Sequence, residues 1–277
     1  MAKGRKPSFG GGHQPRKRFG QNFLHDPHVI DNIVRAINPQ DTDTLVEIGP
    51  GLGAITEQLV DQVRQMAVVE LDRDLIPHLR ISFATSKNFH IYEGDALKFD
   101  FTRILADLGG DKLRVVGNLP YNISTPLMFH LLGYNNLISD MHFMLQKEVV
   151  DRLAAGVGDS AYGRLGIMVQ YYCQVEPLFL VPPTAFDPPP KVESAIVRLV
   201  PHTVPPVTTQ SPRELGKLVT TAFNQRRKTV RNALKSVADD RLLEQAGINP
   251  ELRPEDLSLA QYACLTDLVL AAGPGAE

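Results

Sequence analysis

Apolar and polar positions along the chain fall into two alternating periods. In "HVIDNIVRAI" the apolar residues Val29, Ile30, Ile33, Val34 and Ile37 recur at helical spacing, and Pro39 closes the run. "TLVEIG" is short and continuous, the pattern of a buried strand. "PGLGAITEQLV" then turns into a helix, "QMAVVELD" predicts a second strand and "RDLIPHLRISFA" a helix after it. "FHIYEGD", "KLRVVGN" and "DMHFMLQ" predict a third, fourth and fifth strand. Strands alternating with helices imply an α/β fold on a mainly parallel sheet. Beyond about residue 160 the character changes. "GIMVQYYCQVEPLFLV" and "SAIVRLVP" read as late strands flanking the Pro-rich "VPPTAFDPPPKVE", a rigid and partly extended loop. Residues 201–212 carry four prolines and read as a linker, and the spacing beyond them is helical to about residue 272. The expected organisation is a basic disordered arm at 1–18, an α/β domain at 19–200, a linker at 201–212 and a small all-helical domain at 213–277. No internal repeat is visible.

Composition changes this picture little, and charge changes it more. The chain has 277 residues, 43 % hydrophobic and 22 % charged, the balance of a globular protein with a sizeable core. No apolar run approaches eighteen residues, and no apolar h-region opens the sequence, so neither a membrane span nor a signal peptide is expected. Cys173 and Cys264 stand far apart and make neither a disulfide scaffold nor a zinc site, which fits a reduced, cytoplasmic setting. The net charge of −2 conceals two basic runs. Residues 1–30 hold Lys3, Arg5, Lys6, Arg16, Lys17 and Arg18 against the single acid Asp26. Residues 215–235 hold Lys217, Arg226, Arg227, Lys228, Arg231 and Lys235 with no acid. Two such runs on an otherwise acidic chain point to a polyanionic partner, with a solvated surface as the plainer alternative.

"VEIGPGLGAITE" places Gly49, Gly51 and Gly53 after a strand and before a helix, the context of a Rossmann-type nucleotide loop. Glycines permit the tight turn and let backbone approach a ligand, and a helix N-terminus offers N–H groups to its anionic part. Glu70 ends the second strand, where a carboxylate can accept from ribose hydroxyls, and Asp95 follows the third, where it can accept from an adenine amine. The loop indicates an adenosine-containing ligand and does not choose between NAD and S-adenosylmethionine. Glu47, just before the first glycine, is more typical of methyltransferases, and no nicotinamide-handling residues are evident.

"VVGNLPYNIS" ends the fourth strand at a proline, which has no N–H for a ladder. Ligands of open α/β sheets bind at the carboxyl ends of strands. There the Asn118 side-chain oxygen and a backbone carbonyl near Leu119–Pro120 can both accept from one exocyclic amine, while Tyr121 stacks on the ring. Two acceptors draw the amine nitrogen toward tetrahedral geometry and free its lone pair to attack a methyl group. No strong general base is needed, because the amine becomes acidic once alkylated.

"RKRFGQNFL", "EIGPGLG", "VELDRDL", "GNLPYNISTPLMFHLL", "MLQKEVVDRL", "FDPPPKVESAIVRL" and "FNQRRKTVRNAL" together resemble the bacterial small-subunit ribosomal RNA adenine dimethyltransferase family, from about residue 16 to about 270. The large-subunit rRNA adenine methylases of macrolide resistance and mitochondrial transcription factor B are families of similar build. "GQNFL" and "FNQRRKTVRN" favour the small-subunit enzyme. The resemblance implies a Rossmann-like S-adenosylmethionine-dependent methyltransferase domain with a small C-terminal helical domain. It implies two adjacent adenines near the 3′ end of small-subunit rRNA as targets, each dimethylated on N6, late in subunit assembly. By matching motif it places Asn22 and Leu24 at the cofactor site beside Gly49, Gly51, Glu70, Asp95 and Asn118. It places Phe186 against the target base opposite Tyr121, with a core aromatic as the plainer role for that residue.

For RNA contact the expectation is the arm residues Arg16, Lys17 and Arg18 and a basic helix over "AFNQRRKTVRNALK". Phe223, Val230, Ala233 and Leu234 would form its apolar stripe, with Arg227, Arg231 and Lys235 at four-residue spacing on another and Arg226 and Lys228 nearby. No metal site is expected. His25 and His28 sit three apart, His130 and His142 stand alone, and none joins a cluster at ligand spacing. A DNA adenine-N6 methyltransferase would share loop and clamp but usually adds a recognition region. A ribosome-assembly factor acting mainly by binding would use the same surfaces. The default oligomeric state is a monomer, with the small ribosomal subunit as partner.

Overall fold

The computed structural model describes residues 22–273, so the arm expected at 1–18, with Arg16, Lys17 and Arg18, lies outside the described residues. β1 (Phe23–Leu24) comes first and α1 (Pro27–Ile37) follows. Asp26 caps this helix, accepting from the N–H groups of His28 and Val29, and Pro27 occupies the first turn, where a missing N–H costs nothing. Asn38 ends it in the left-handed region at φ 48°.

The chain then runs through β2 (Thr44–Ile48), α2 (Thr56–Leu59), β3 (Gln65–Glu70), α3 (Ile76–Ser82) and β4 (Phe89–Glu93). It returns through α4 (Thr102–Leu108), β5 (Leu113–Asn118), α5 (Ser124–Leu132) and β6 (Ile138–Gln146). These five expected strands pair in parallel. β2 is buried along its whole length, which explains why its sequence shows a continuous apolar run and no alternation. α6 (Lys147–Ala154), α7 (Arg164–Tyr172), β7 (Cys173–Val181), β8 (Phe186–Asp187) and β9 (Ser194–Pro201) follow. β9 lies antiparallel between β6 and β7, giving the sheet order β4-β3-β2-β5-β6-β9-β7. From β2 the chain moves outward through β3 and β4, then crosses back to β5. The carboxyl ends of β2 and β5 therefore flank the point where strand order reverses, and a crevice opens there. β1 pairs separately with β8, two residues on each side.

Two expectations are corrected. "GIMVQYY" is helical, as part of α7. Val169 packs into the core under the sheet, while Ile167, Met168 and Tyr171 pack into a second core with the C-terminal helices. A helix buried on both sides has no polar face, so its period is hidden in the sequence. A Cβ on Gly166 would run into the Arg152 carbonyl oxygen, so this glycine lets α6 and α7 approach closely.

The C-terminal elements are α8 (Pro212–Asn224), α9 (Val230–Ala233), α10 (Asp240–Gln245) and α11 (Leu259–Ala272). They are helical as expected, but the single basic helix over 222–235 does not exist. α8 stops at Asn224, and the N–H groups of Val230 and Arg231 donate instead to the carbonyls of Leu252 and Pro250. Those long-range bonds replace the ones a continuous helix would make. Val230 and Leu234 are nonetheless buried in the second core and Ala233 is buried beside them in sequence, so the apolar half of the pattern is real.

Candidate active site

The loop after β2 owes its shape to its glycines. Gly49 (φ 66°) and Gly51 (φ 60°) sit in the left-handed region. Among the described residues no atom beyond the glycine and its chain neighbours lies within 4 Å of where a Gly49 Cβ would stand, while a Cβ on Gly51 would press the Phe23 ring at 3.3 Å. Beneath the loop, Glu47 is buried and accepts a 2.5 Å hydrogen bond from Thr56 Oγ1. Burial pushes the Glu47 carboxyl up to about 7; the Thr56 bond opposes the shift and the charge of Glu70 adds to it. Glu70, at the end of β3, is also raised by burial, against the backbone N–H groups of Asp72, Gly51 and Leu71. Its Oε1 accepts from Asp72 N–H at 2.7 Å, and the Gly51 N–H bond ties the acid to the glycine loop from the neighbouring strand. Asp95 follows β4 and accepts from Leu97 N–H at 3.0 Å.

The raised Glu47 carboxyl has a measurable consequence. Its folded value of about 7 exceeds the ordinary 4.5, so folded protein holds this proton where unfolded chain releases it. Stability then falls as pH rises from 4.5 to 7, by about 3 kcal/mol at most, at 1.36 kcal/mol per unit. In Glu47→Gln the penalty is gone. Urea melts of ligand-free protein at pH 5 and pH 8 should show the variant gaining on wild type at the higher pH; parallel behaviour would contradict the assignment.

At the end of β5, the Asn118 amide Nδ2 donates to the Asn22 carbonyl at 3.2 Å. The Asn118 side-chain oxygen accepts no hydrogen bond from the described residues. The Pro120 carbonyl accepts from Ile123 N–H at 3.1 Å, which leaves the neighbouring Leu119 carbonyl as the second acceptor of the turn. The Tyr121 hydroxyl meets Ser194 Oγ at 3.1 Å. The β1–β8 ladder, Leu24 opposite Phe186, ties the segment over the glycine loop to the segment that carries Phe186.

These parts enclose one cavity of about 330 Å³. The residues read as cofactor-binding (Asn22, Leu24, Gly49, Gly51, Glu70, Asp95 and Asn118) all line it. So do those read as catalytic: Leu119, Pro120, Tyr121 and Phe186. Phe186 is only 3 % exposed and belongs to a core cluster as well, so the two roles weighed for it are compatible. Sequence reasoning did not assign Phe23 or Leu71 to the lining. Phe23 stood inside the quoted "GQNFL" and Leu71 inside the quoted "VELDRDL", but neither was given a role there. No lysine, arginine or histidine is among the described residues that line the cavity, while Glu47, Glu70 and Asp95 are. Such a lining suits a ligand with cationic and hydrogen-bond-donating groups.

The basic residues divide. Arg226 pairs with Glu255 at 3.4 Å and donates to the Ser160 carbonyl at 2.6 Å, and Arg231 pairs with Asp240 at 2.9 Å and Glu251 at 2.5 Å. Arg227, Lys228 and Lys235 are exposed and make no ion pair among the described residues. His130 is satisfied, its Nε2 lying 2.8 Å from the Phe99 carbonyl oxygen. Among the described residues no group of His, Cys, Asp and Glu could hold a metal ion, and no helix is long and apolar enough to cross a membrane.

Comparison with known proteins follows the same geometry. The family described as "Ribosomal RNA adenine dimethylase" matches residues 12–269. Ribosomal RNA small subunit methyltransferase A of Marinobacter nauticus is 59 % identical over 262 residues, 95 % of this chain and 94 % of the relative. The protein of the same name from Pseudomonas fluorescens is 60 % identical over 255 residues, 92 % of this chain and 94 % of that one. Among solved structures, a dimethyladenosine transferase from Plasmodium falciparum superposes with a TM-score of 0.72 at 28 % identity, covering 88 % of this chain and 95 % of the other. The chain belongs to the ribosomal RNA adenine dimethylase family.

Proposed function

We propose that the protein transfers methyl groups from S-adenosylmethionine to the N6 amines of two adjacent adenines near the 3′ end of small-subunit rRNA, late in subunit assembly. The observation that carries this reading is the meeting of the glycine loop and the Asn118–Tyr121 turn on one cavity. The space that the described residues leave over Gly49, the acid at Glu70 and the absence of cationic side chains from the described lining fit a nucleoside that carries positive charge. When bound, S-adenosylmethionine supplies an electrophilic methyl group on a sulfonium.

The chain's residues do the rest by position. The Asn118 oxygen and the Leu119 carbonyl accept from the target amine and hold its lone pair toward the donor side of the cavity. Tyr121 and Phe186 take the faces of the base. The target must leave its stack, or already lie in an accessible conformation, to enter. No residue needs to remove a proton before transfer, since the alkylated amine sheds one itself. Product analysis tests the reading. Undermethylated small subunits incubated with protein and S-adenosylmethionine should yield two N6,N6-dimethyladenosines per subunit on digestion. Monomethylated or unmodified adenosine alone would contradict it.

We assign RNA binding to the exposed cations Arg227, Lys228 and Lys235, which make no ion pair among the described residues, with Arg226 and Arg231 shaping the surface through their own pairs. Recognition of this kind reads shape and phosphate position more than base sequence. Reversing Arg227 and Lys228 to Glu should weaken small-subunit binding and lower its salt slope by about one for each phosphate no longer neutralised, with cofactor affinity unchanged. An unaltered slope would move the RNA-binding surface elsewhere.

A further inference from the structure

Ser194 lies outside every motif role given above and does not line the cavity. It is 1 % exposed, one of the few buried polar side chains of the described residues. It opens β9, paired with Gln146 of β6 on one side and Val181 of β7 on the other. Two flanking strands thus fix its position. Its hydroxyl stands 3.1 Å from the hydroxyl of Tyr121. Tyr121 itself sits in the turn between β5 and α5, a segment with no ladder of its own. Its carbonyl accepts from Ser124 Oγ at 3.2 Å, so the residue is held at its main chain by Ser124 and at its ring tip by Ser194. Ser194 also ends the loop that follows Phe186 and Asp187, so one strand start bounds the segment carrying Phe186 and meets Tyr121.

We infer that Ser194 is a positioning residue for methyl transfer, its hydroxyl fixing the Tyr121 ring as the platform for the target base. The inference rests on the methyl-transfer reading of the cavity. A phenol bonded to a buried serine serves as an anchor and leaves the amine to Asn118 and Leu119. A ring free to turn about its side-chain torsions would still bind a base, but less often in line with the donor, so the loss falls on turnover.

Five proteins test this: wild type, Ser194→Ala, Tyr121→Phe, the double variant and, as the conservative control, Ser194→Thr. Each is assayed for kcat and KM on undermethylated small subunits and for S-adenosylmethionine affinity by calorimetry. Each single variant should lose about tenfold in kcat, of the order one hydrogen bond supports, with cofactor affinity unchanged. The double variant should be no worse than the worse single, because both remove one interaction, and Ser194→Thr should recover most of the rate. Wild-type kcat in Ser194→Ala overturns the inference, as does a double variant whose loss is the product of the two. A matching loss of cofactor affinity overturns it in favour of a general structural role. If wild type itself transfers no methyl group to small subunits, the reading of the cavity fails first and the inference falls with it.

Discussion

Replacing Asn118 with alanine should leave the protein folded and slow methyl transfer by roughly a thousandfold, the cost of losing one preorganised polar group at a reacting centre. The size follows from the chemistry of the acceptor. An adenine amine shares its lone pair with the ring and attacks poorly until acceptors bend it out of that conjugation. In the proposed reaction Asn118 does this with one end of its amide, while the other end is spent on the Asn22 carbonyl. That second bond fixes which end faces the amine. Asn118→Asp should not rescue the rate, since a carboxylate has no N–H for Asn22 and would repel its carbonyl. The strand itself stays in place, because β5 is paired on both sides by backbone bonds that do not use this side chain. Single-turnover transfer on small subunits beside a thermal melt reads both halves. A variant that transfers at the wild-type rate would remove Asn118 from the reaction.

The second large effect is on stability, at Arg114. This side chain is 13 % exposed and bonds Asp140 through two nitrogens at 2.9 Å, Asp43 at 2.7 Å and the carbonyls of Ile37 and Asn38. Burial opposes its charge, and the hydrogen bonds and charges of Asp140 and Asp43 outweigh that, holding the guanidinium above its ordinary value. One residue thus joins the end of α1 to β5 and β6. Arg114→Ala strands two carboxylates, one 9 % and one 15 % exposed, and two helix-end carbonyls. Breaking a buried pair from one side costs about 3–5 kcal/mol. At roughly 2–4 °C per kcal/mol for a chain of this size, the melting temperature should fall by about 10 °C. A shift under about 2 °C would mean that the neighbouring Arg198, 3.8 Å from Asp140, takes over the charge. α1 leads back through β1 to Asn22, whose carbonyl accepts from Asn118, so looser anchoring of α1 should reach Asn118 as well.

Both effects start from residues of very different legibility. The place of Asn118 at a strand end on the cavity could be read because proline and tyrosine follow it at the end of an apolar run, and ligands of such sheets bind at strand ends. β2 to β6 were readable for the same reason, as short apolar runs bounded by Gly, Pro and Asp. Arg114 carries no local sign, because its partners at 43 and 140 come together only in the folded sheet. Ser194 and Tyr121, 73 positions apart, are hidden in the same way. β1 and β8 are two residues each, too short for any period to show. The basic run is legible as charge but not as structure, since its pattern suggests one helix where the chain forms two. The backbone donors of Val230 and Arg231 find partners at 252 and 250, which no local pattern announces.

The most direct test offers purified protein labelled S-adenosylmethionine with three acceptors in parallel: undermethylated small ribosomal subunits, large subunits and duplex DNA. Wild type should label only the small subunits, with all label in N6,N6-dimethyladenosine, and Asn118→Ala should label them roughly a thousandfold more slowly while still binding them. Label in large subunits or DNA, or no label anywhere with small-subunit binding intact, would contradict the account.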